Sequence, residues 1–297
     1  MSFIPKGIIP AMVTPFDREE KLNEKALRQL TNYLVDGGVH GLFPVGSQGE
    51  FFALEYEEKV RVMEVVKEEA RGRIPVYAGT GAITTREAIR LTQAAQSIGI
   101  DAVSLITPFF LAPSQDELYD HYVAIAKATR LPILLYNNPG RTGGVNLTVN
   151  LVVKLSQVEN IVGIKDSSGD MTLTGEYIRR TDRKKFFVLA GRDTMIYSTL
   201  CYGGAGSITA TGNVCPQLVS EIYNAFLRGD HQKSLQAQYQ LAPLRIAFEL
   251  GSFPVVIKEA LEMIGIPAGP SRSPVKGLPA EQKEELRKVL QGMNLVK

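Results

Sequence analysis

The 297-residue sequence has no tryptophan, three histidines and only two cysteines, Cys201 and Cys215. Two cysteines are too few for a disulfide framework, and their scarcity indicates a reducing compartment such as the cytoplasm. The histidines are scattered without the spacing of metal ligands, so we expect no metal site. The sequence begins without a basic-then-apolar leader and has no apolar run of about 18 residues, which predicts neither secretion nor a membrane span.

Positive and negative charges nearly balance, because the 33 Lys and Arg residues outnumber the 31 Asp and Glu residues by two, which gives a net charge of +2. So small a charge does not attract nucleic acid or an anionic membrane, and we expect neither as a partner. The hydrophobic fraction of 44% and the charged fraction of 22% are ordinary globular values that exclude wholesale disorder. The length suits one large α/β domain or two smaller ones.

One alternation repeats along the chain, in which a short apolar run is followed by an amphipathic stretch. The runs are apolar almost throughout, which is typical of parallel strands covered on both faces. The eight predicted strands are 8–13, 41–45, 75–79, 102–107, 132–136, 161–165, 186–190 and 206–210.

The amphipathic stretches predict helices. Apolar residues recur at helical spacing over 22–35 and 55–70, with charged residues on the opposite face. The stretches 84–98 and 114–128 each begin with a capping-box pattern, in which Thr or Ser precedes Glu by three residues. Eight such strand–helix units in about 225 residues predict a closed (β/α)8 barrel, the TIM barrel.

The main structural alternative is a doubly wound open sheet. That fold usually shows a glycine-rich dinucleotide fingerprint after its first strand, and none follows Val13. The sequence after 229 has no strand-like run and predicts three helices instead. We therefore expect a barrel domain over 1–229 and a C-terminal helical extension over 230–297. The predicted helices of this extension are 231–250, 254–264 and 279–293.

Lys165 ends the predicted strand 161–165, and reactive groups of a barrel lie at such carboxyl ends. Burial disfavours the charged form of an amine, so a lysine buried there offers a neutral nucleophile near neutral pH. Such an amine attacks a ketone and forms a Schiff base, whose iminium withdraws electrons from the neighbouring carbon. The alternative is a strand-end lysine that points to water.

Tyr136 ends the preceding predicted strand, so its side chain is expected beside Lys165. A phenol at this place suits a proton relay during imine formation. The strand pattern alone also fits a buried tyrosine with one satisfied hydroxyl. Arg141 follows in the next loop, where it either clamps a substrate carboxylate through two hydrogen bonds or pairs with a surface acid.

Two further strand ends carry glycine-rich loops. The loop Gly46-Ser47-Gln48-Gly49-Glu50 lets backbone N–H groups approach an anion closely, and the Ser47 hydroxyl adds a hydrogen bond, so the loop suits a carboxylate. It lacks the lysine and the spacing of a nucleoside-triphosphate loop. Gly191 and the glycines of 203–206 flank the last two strands, where they serve turns or, by analogy with other barrels, a phosphate site.

Together these strand ends resemble the dihydrodipicolinate synthase and N-acetylneuraminate lyase family of pyruvate-dependent class I lyases. The resemblance covers nearly the whole chain and rests on several motifs at consistent separations. The motifs are the stretch from Gly7 to Phe16, the Gly-Ser-x-Gly-Glu loop, Tyr136-Asn137 and Gly163-Ile164-Lys165-Asp166. The resemblance implies a (β/α)8 barrel with a C-terminal helical extension, assembled as a homotetramer.

The resemblance also implies a role for each matching residue. Lys165 is similar to the Schiff-base lysine, Tyr136 to the proton-relay tyrosine, and Ser47 to the hydroxyl residue that contacts the substrate carboxylate and joins the relay. The other implied substrate-binding positions are Gln48 beside Ser47, Arg141 for the carboxylate of the aldehyde, and Gly191 and Ile208, whose main chain lines the pyruvate site. No cofactor and no metal are implied, because the iminium itself is the electron sink.

Two positions depart from the pattern of the synthases. Ser47 and Gln48 replace the two threonines of the usual Gly-Thr-Thr-Gly-Glu loop. Phe110 lies where the synthases carry a tyrosine that joins the relay across a dimer interface. Without that hydroxyl, either water or a hydroxyl of the substrate completes the relay. We count Phe110 among the substrate-binding residues, as a lid over the site or as a subunit contact.

The sequence thus predicts a cytoplasmic, Schiff-base-forming lyase or aldolase. It would condense pyruvate with an aldehyde or cleave a 2-keto-3-deoxy acid to pyruvate. The alternative is an authentic dihydrodipicolinate synthase, which joins pyruvate to aspartate semialdehyde through a modified relay. A third interpretation is a non-catalytic protein that binds a keto acid, against which the joint presence of Lys165, Tyr136 and Ser47 argues.

Overall fold

A computed structural model describes residues 3–297, and within this range seven parallel strands form one curled sheet. The strands are β1 (Gly7–Pro10), β2 (Tyr77–Gly79), β3 (Ala102–Ile106), β4 (Ile133–Asn137), β5 (Ile161–Asp166), β6 (Phe187–Ala190) and β7 (Gly206–Thr209). Their order in the sheet is β1-β7-β6-β5-β4-β3-β2, so β1 and β2 lie at its two ends.

The sheet closes between β1 and β2 through the segment predicted as a strand over 41–45. The two parallel bridges that close it are Ala11 to Phe43 and Leu42 to Val76. The segment is shorter than predicted because Pro44 has no backbone N–H to donate and Val45 adopts a left-handed φ of 57°, which ends the extended backbone. The predicted (β/α)8 barrel is therefore confirmed, with its second strand reduced to these bridges.

Helices alternate with the strands and cover the barrel. The N-cap side chains of Thr84 and Ser114 accept hydrogen bonds from the N–H groups of Glu87 and Glu117, both at 3.3 Å. The Glu117 carboxylate also accepts from the Ser114 N–H at 2.7 Å, which completes a capping box. The first eight helices are α1 (Glu24–Asp36), α2 (Tyr56–Ala70), α3 (Thr85–Ile98), α4 (Gln115–Lys127), α5 (Val149–Leu155), α6 (Met171–Arg180), α7 (Ile196–Cys201) and α8 (Pro216–Leu227).

Apolar side chains fill two layers, one inside the barrel and one between the strands and the helices. The inner layer includes Ile9, Phe43, Tyr77, Leu134, Leu189 and Ile208. The outer layer joins the other face of each strand to the apolar stripes of the helices. Strands buried on both faces explain why the predicted runs are apolar almost throughout.

The C-terminal extension consists of α9 (His231–Ile246), α10 (Val255–Met263) and α11 (Ala280–Gly292). It contacts the barrel loops directly, because Gln238 Nε2 of α9 donates to the Asp193 carbonyl at 2.9 Å. The Tyr197 N–H in turn donates to Gln238 Oε1 at 3.0 Å. Within residues 3–297, no helix combines the length and the apolar content that spanning a bilayer requires.

A buried ion pair joins the extension to the loop after the second predicted strand. Lys258 of α10 is 2% exposed, and its Nζ lies 2.6 Å from Oε1 of Glu50, which is 1% exposed. The ammonium also donates to the Pro270 carbonyl at 2.7 Å. Burial lowers the pKa of Lys258 to about 8, against the opposing effect of the Glu50 carboxylate.

We expect Lys258→Met to lower the free energy of unfolding by about 3–5 kcal/mol, because it leaves the buried Glu50 carboxylate without its cation, although the Arg272 N–H still donates to Glu50 Oε2 at 3.1 Å. Urea denaturation measures the loss. The matched control is Lys283→Met, which removes a 2.9 Å pair with Glu259 whose lysine is 45% exposed and which we expect to cost about 1 kcal/mol or less. Equal losses in the two variants would contradict the conclusion that the buried Lys258–Glu50 pair is costlier to break than an exposed pair.

Candidate active site

A cavity of about 420 Å³ opens at the carboxyl ends of the strands, a size suited to a small organic ligand. The predicted site residues that line it are Ser47, Gln48, Tyr136, Arg141, Lys165, Gly191 and Ile208. The C-terminal extension supplies the opposite wall, with Arg245, Phe248, Phe253 and Pro254 among its lining residues. The site therefore lies between the barrel and the extension.

Lys165 lies near the end of β5 and is only 5% exposed, so its amine does not point into bulk water. In the parallel register of β4 and β5, Lys165 lies directly beside Tyr136. Its Nζ is 4.1 Å from the centroid of the Tyr136 ring and 5.5 Å from that of Phe43. A buried amine beside a phenol at a cavity has the position that attack on a bound ketone requires.

The Tyr136 hydroxyl accepts a hydrogen bond from Asn138 Nδ2 at 2.8 Å. Burial by itself raises the pKa of this phenol. The positive charge of Lys165 and polar contacts with Ser47, Asn138 and Ser167 outweigh that effect, so the pKa of Tyr136 lies below its usual value. A phenol that releases its proton more readily than usual is suited to a proton relay.

The loop from Gly46 to Glu50 places Ser47 and Gln48 at the cavity. Thr14 Oγ1 donates to the Gly49 carbonyl at 2.7 Å and Gln48 Nε2 donates to the Pro254 carbonyl at 3.4 Å, which ties the loop to the barrel and to the extension. The Ser47 Oγ is buried and makes no aligned hydrogen bond within the described residues. This hydroxyl is therefore available to a ligand.

Gly191 and Ile208 lie at the ends of β6 and β7. A Cβ atom at Gly191 would lie 2.0 Å from Ser167 Oγ and 2.9 Å from the Asp166 carbonyl oxygen. Only glycine therefore fits there without a shift of the backbone of β5. The Ile208 side chain is buried in the inner layer of the barrel, and the residue also lines the cavity.

Within one copy of the chain, Phe110 is not brought into this cavity, so the structure does not support the lid interpretation, and the subunit contact stays a prediction. Its side chain is 94% exposed, and its backbone has a φ of 72°. The Phe110 side chain lies in solvent, whereas the preceding Phe109 packs against the ring of Phe51 at a centroid distance of 5.6 Å. Within one copy of the chain, Phe110 is therefore neither a lid nor a lining residue.

Several residues at the cavity were missed by the sequence reasoning. Asn138 and Ser167, which contact the Tyr136 hydroxyl, each come one residue after a motif of the resemblance, Tyr136-Asn137 and Gly163-Ile164-Lys165-Asp166, so their place at these strand ends was the available signal. Phe253 has no such signal. It comes from the extension, and the Arg141 guanidinium carbon lies 4.4 Å from the centroid of its ring. A cation over an aromatic face restricts where this arginine reaches.

The barrel, the buried lysine and the neighbouring phenol define an enzyme of the class I aldolase type. A model of the Dihydrodipicolinate synthetase family matches residues 4–293. The chain belongs to this family, and it is a lyase.

Curated relatives extend over the whole chain. The 4-hydroxy-tetrahydrodipicolinate synthase of Methanopyrus kandleri is 38% identical over 298 residues, which cover 100% of this chain and 99% of the relative. The 4-hydroxy-tetrahydrodipicolinate synthase of Thermodesulfovibrio yellowstonii is 40% identical over 292 residues, which cover 98% of this chain and 99% of the relative.

Solved structures agree with this assignment. The dihydrodipicolinate synthase DapA-2 of Bacillus anthracis superimposes with a TM-score of 0.93 at 36% identity, over 97% of this chain and 99% of that chain. A prophage protein of the same family from E. coli K12, solved in complex with pyruvate, superimposes with a TM-score of 0.94 at 34% identity, over 98% and 96% of the two chains.

In an ultraviolet absorbance titration, we expect a first ionisation step from Tyr136, at lower pH than the steps of Tyr77, Tyr122 and Tyr177, whose pKa burial raises. Tyr136→Phe should remove this first step, and Lys165→Met should move it to higher pH, because loss of the cation disfavours the phenolate. Tyr239→Phe is the control, since Tyr239 is exposed. An early step that Lys165→Met leaves unchanged would contradict the proposed contact.

Proposed function

We propose that Lys165 forms a Schiff base with pyruvate in this cavity. The observation that carries the proposal is the buried amine of Lys165, 4.1 Å from the ring centroid of Tyr136 at the cavity wall. The pyruvate complex of the E. coli family member supports pyruvate as the keto acid. With pyruvate bound to Lys165, the Ser47 hydroxyl and the backbone N–H groups of its loop would bind the pyruvate carboxylate.

The proposed reaction begins when the Lys165 ammonium gives up its proton and the resulting neutral amine adds to the ketone carbon. Loss of water gives an iminium, and loss of a proton from the neighbouring methyl group gives an enamine. The enamine carbon then attacks an aldehyde, and hydrolysis releases the product and restores the amine. Tyr136, with Ser47 beside it, would move the protons of these steps. The reverse sequence cleaves a carbon–carbon bond.

For the acceptor, we propose aspartate semialdehyde, so that the chain acts as a 4-hydroxy-tetrahydrodipicolinate synthase. The curated relatives, 38% and 40% identical over nearly all of their length, carry this name. Arg141 supports it, because its guanidinium lines the cavity and is suited to a carboxylate of the aldehyde.

A second candidate function is the cleavage of a 2-keto-3-deoxy acid to pyruvate. Phe110 favours it, because the position lacks the hydroxyl expected of a synthase relay. Ser47 and Gln48 also depart from the threonine pair of the synthases. A keto-deoxy sugar acid supplies its own hydroxyl groups, which would compensate for the missing phenol.

The resemblance also leads us to propose that the chain assembles as a homotetramer. Exposed apolar side chains support contacts between copies, and the fully exposed Phe110 with the half-exposed Leu111 is one such place. A cytoplasmic location is proposed from Cys201 and Cys215, which are both free thiols.

The covalent step is tested by borohydride reduction in the presence of pyruvate. We expect a mass increase on the peptide that contains Lys165, because reduction traps the iminium as a stable secondary amine. Lys165→Met should give no adduct, whereas Lys154→Met, on the exposed side of α5, should react like the wild type. An adduct on another lysine, or none, would end this mechanism.

The acceptor is tested by comparing two assays on the same preparation. We expect condensation of pyruvate with aspartate semialdehyde to exceed cleavage of 2-keto-3-deoxygluconate in kcat/KM if the synthase assignment is right. In the proposed assembly, Phe110→Tyr offers a hydroxyl to the relay of a neighbouring copy and should raise the condensation rate further. Efficient cleavage with negligible condensation would replace the synthase by the second candidate.

A further inference from the structure

A second, much smaller cavity adjoins the active-site cavity. Its volume is about 10 Å³, which is about the room that one water molecule needs. Its lining residues are Phe43, Val45, Gly46, Ser47, Phe51, Gly79, Gly81, Ser104, Ile106 and Tyr136. Ser47 and Tyr136 line both cavities, so the small cavity lies next to two side chains that the proposed reaction uses.

The small cavity exists because the strand beside Ser104 has no side chains to fill it. Gly79 of β2 lies opposite Ser104 of β3 in the parallel register. A Cβ atom at Gly79 would lie 2.0 Å from the Val45 carbonyl oxygen, and one at Gly81 would lie 2.7 Å from the Ile106 backbone nitrogen. Both positions therefore require glycine, and the space between the strands stays open.

Ser104 lies on the inner face of β3, where apolar side chains dominate. Ala102, two residues earlier in the same strand, belongs to the inner layer of the barrel, and alternate residues of a strand share a face. Ser104 is 2% exposed, and its Oγ has no hydrogen-bond partner among residues 3–297. An unpaired buried hydroxyl is costly, so such groups normally bind either protein or ordered water.

Three residues with hydroxyl groups thus line a cavity of the size of one water molecule. The Ser47 Oγ, like that of Ser104, is buried without a partner in the described part of the chain. The Tyr136 hydroxyl accepts from Asn138 and keeps its own proton to donate. Buried water makes about three hydrogen bonds. Because a serine hydroxyl donates one hydrogen bond and accepts two, Ser47 can bind water and a pyruvate carboxylate at once.

We infer that the Ser47 and Ser104 hydroxyls hold one water molecule beside Tyr136, and that this water belongs to the proton relay. Ser104 is then a positioning residue, because it acts on the reaction only through the water. The inference rests on the proposed Schiff-base function. It locates a water that completes the relay although Phe110 offers no hydroxyl.

The water would pass protons between Ser47 and Tyr136 while the imine forms. The Lys165 ammonium gives one proton to the relay, and the neutral amine adds to the ketone carbon. A second proton moves from the nitrogen to the former ketone oxygen. The relay then returns the first proton to this hydroxyl, which leaves as water. One iminium and one water are formed, and no net proton is taken up or released.

A high-resolution crystal structure of the unliganded protein tests the position of the water. We expect one density peak in the small cavity, about 2.6–3.2 Å from both the Ser47 Oγ and the Ser104 Oγ. An empty small cavity, in a map that shows other buried waters, would overturn the inference.

The relay role is tested by the rate at which borohydride-trapped adduct forms after mixing with saturating pyruvate. Ser104→Ala should slow this rate by about threefold to tenfold, as expected for one lost hydrogen bond, and leave the final amount of adduct unchanged. The solvent deuterium isotope effect on the rate should rise, because proton transfer then limits the step. Ser104→Cys, a larger side chain with a weak donor, should act like Ser104→Ala, which separates the hydroxyl from packing.

Ser220→Ala is the matched control, since Ser220 of α8 is also buried with an Oγ that has no partner among residues 3–297, and it lines neither cavity. It should leave the rate and the isotope effect unchanged. Wild-type values in Ser104→Ala, or equal slowing by Ser220→Ala, would overturn the inference. A wild type that forms no adduct rejects the Schiff-base function, whereas normal trapping that is insensitive to Ser104 rejects only this inference.

Discussion

The contact between the Lys165 amine and the Tyr136 ring is the interaction on which the rest of this account depends. It follows from the parallel register of β4 and β5, which sets the two residues side by side at the same edge of the sheet. The barrel buries the Lys165 side chain, and its positive charge, when protonated, lowers the pKa of the phenol. One geometric constraint thus supplies both a nucleophile and a proton carrier.

The C-terminal extension is part of the site rather than an appendage. It provides the wall opposite the barrel, and its Lys258 forms a buried pair with Glu50 at the end of the loop that carries Ser47. Breaking such a pair is costly because the remaining charge stays in a low dielectric. The extension therefore fixes the position of a loop that lies about 200 residues earlier in the chain.

The sequence was informative where local pattern decides structure. Continuous apolar runs predicted strands buried on both faces, and their polar ends placed Lys165 and Tyr136 at one edge. Prediction from the sequence failed where the contacting residues are far apart in the chain, or where a single backbone angle sets the local conformation. Nothing near Phe253 signals that its ring lies under Arg141, and neither the left-handed φ nor the exposure of Phe110 has a signature in the Pro-Phe-Phe-Leu stretch. The division at residue 229 remains a prediction.

The most direct test of the central claim is a crystal structure of the protein soaked with pyruvate. The account predicts continuous density between the Lys165 Nζ and the second carbon of pyruvate, with the carboxylate against the Ser47 loop and the Tyr136 hydroxyl beside the new bond. Pyruvate bound without a covalent link to Lys165, or attached to a different lysine, would contradict it.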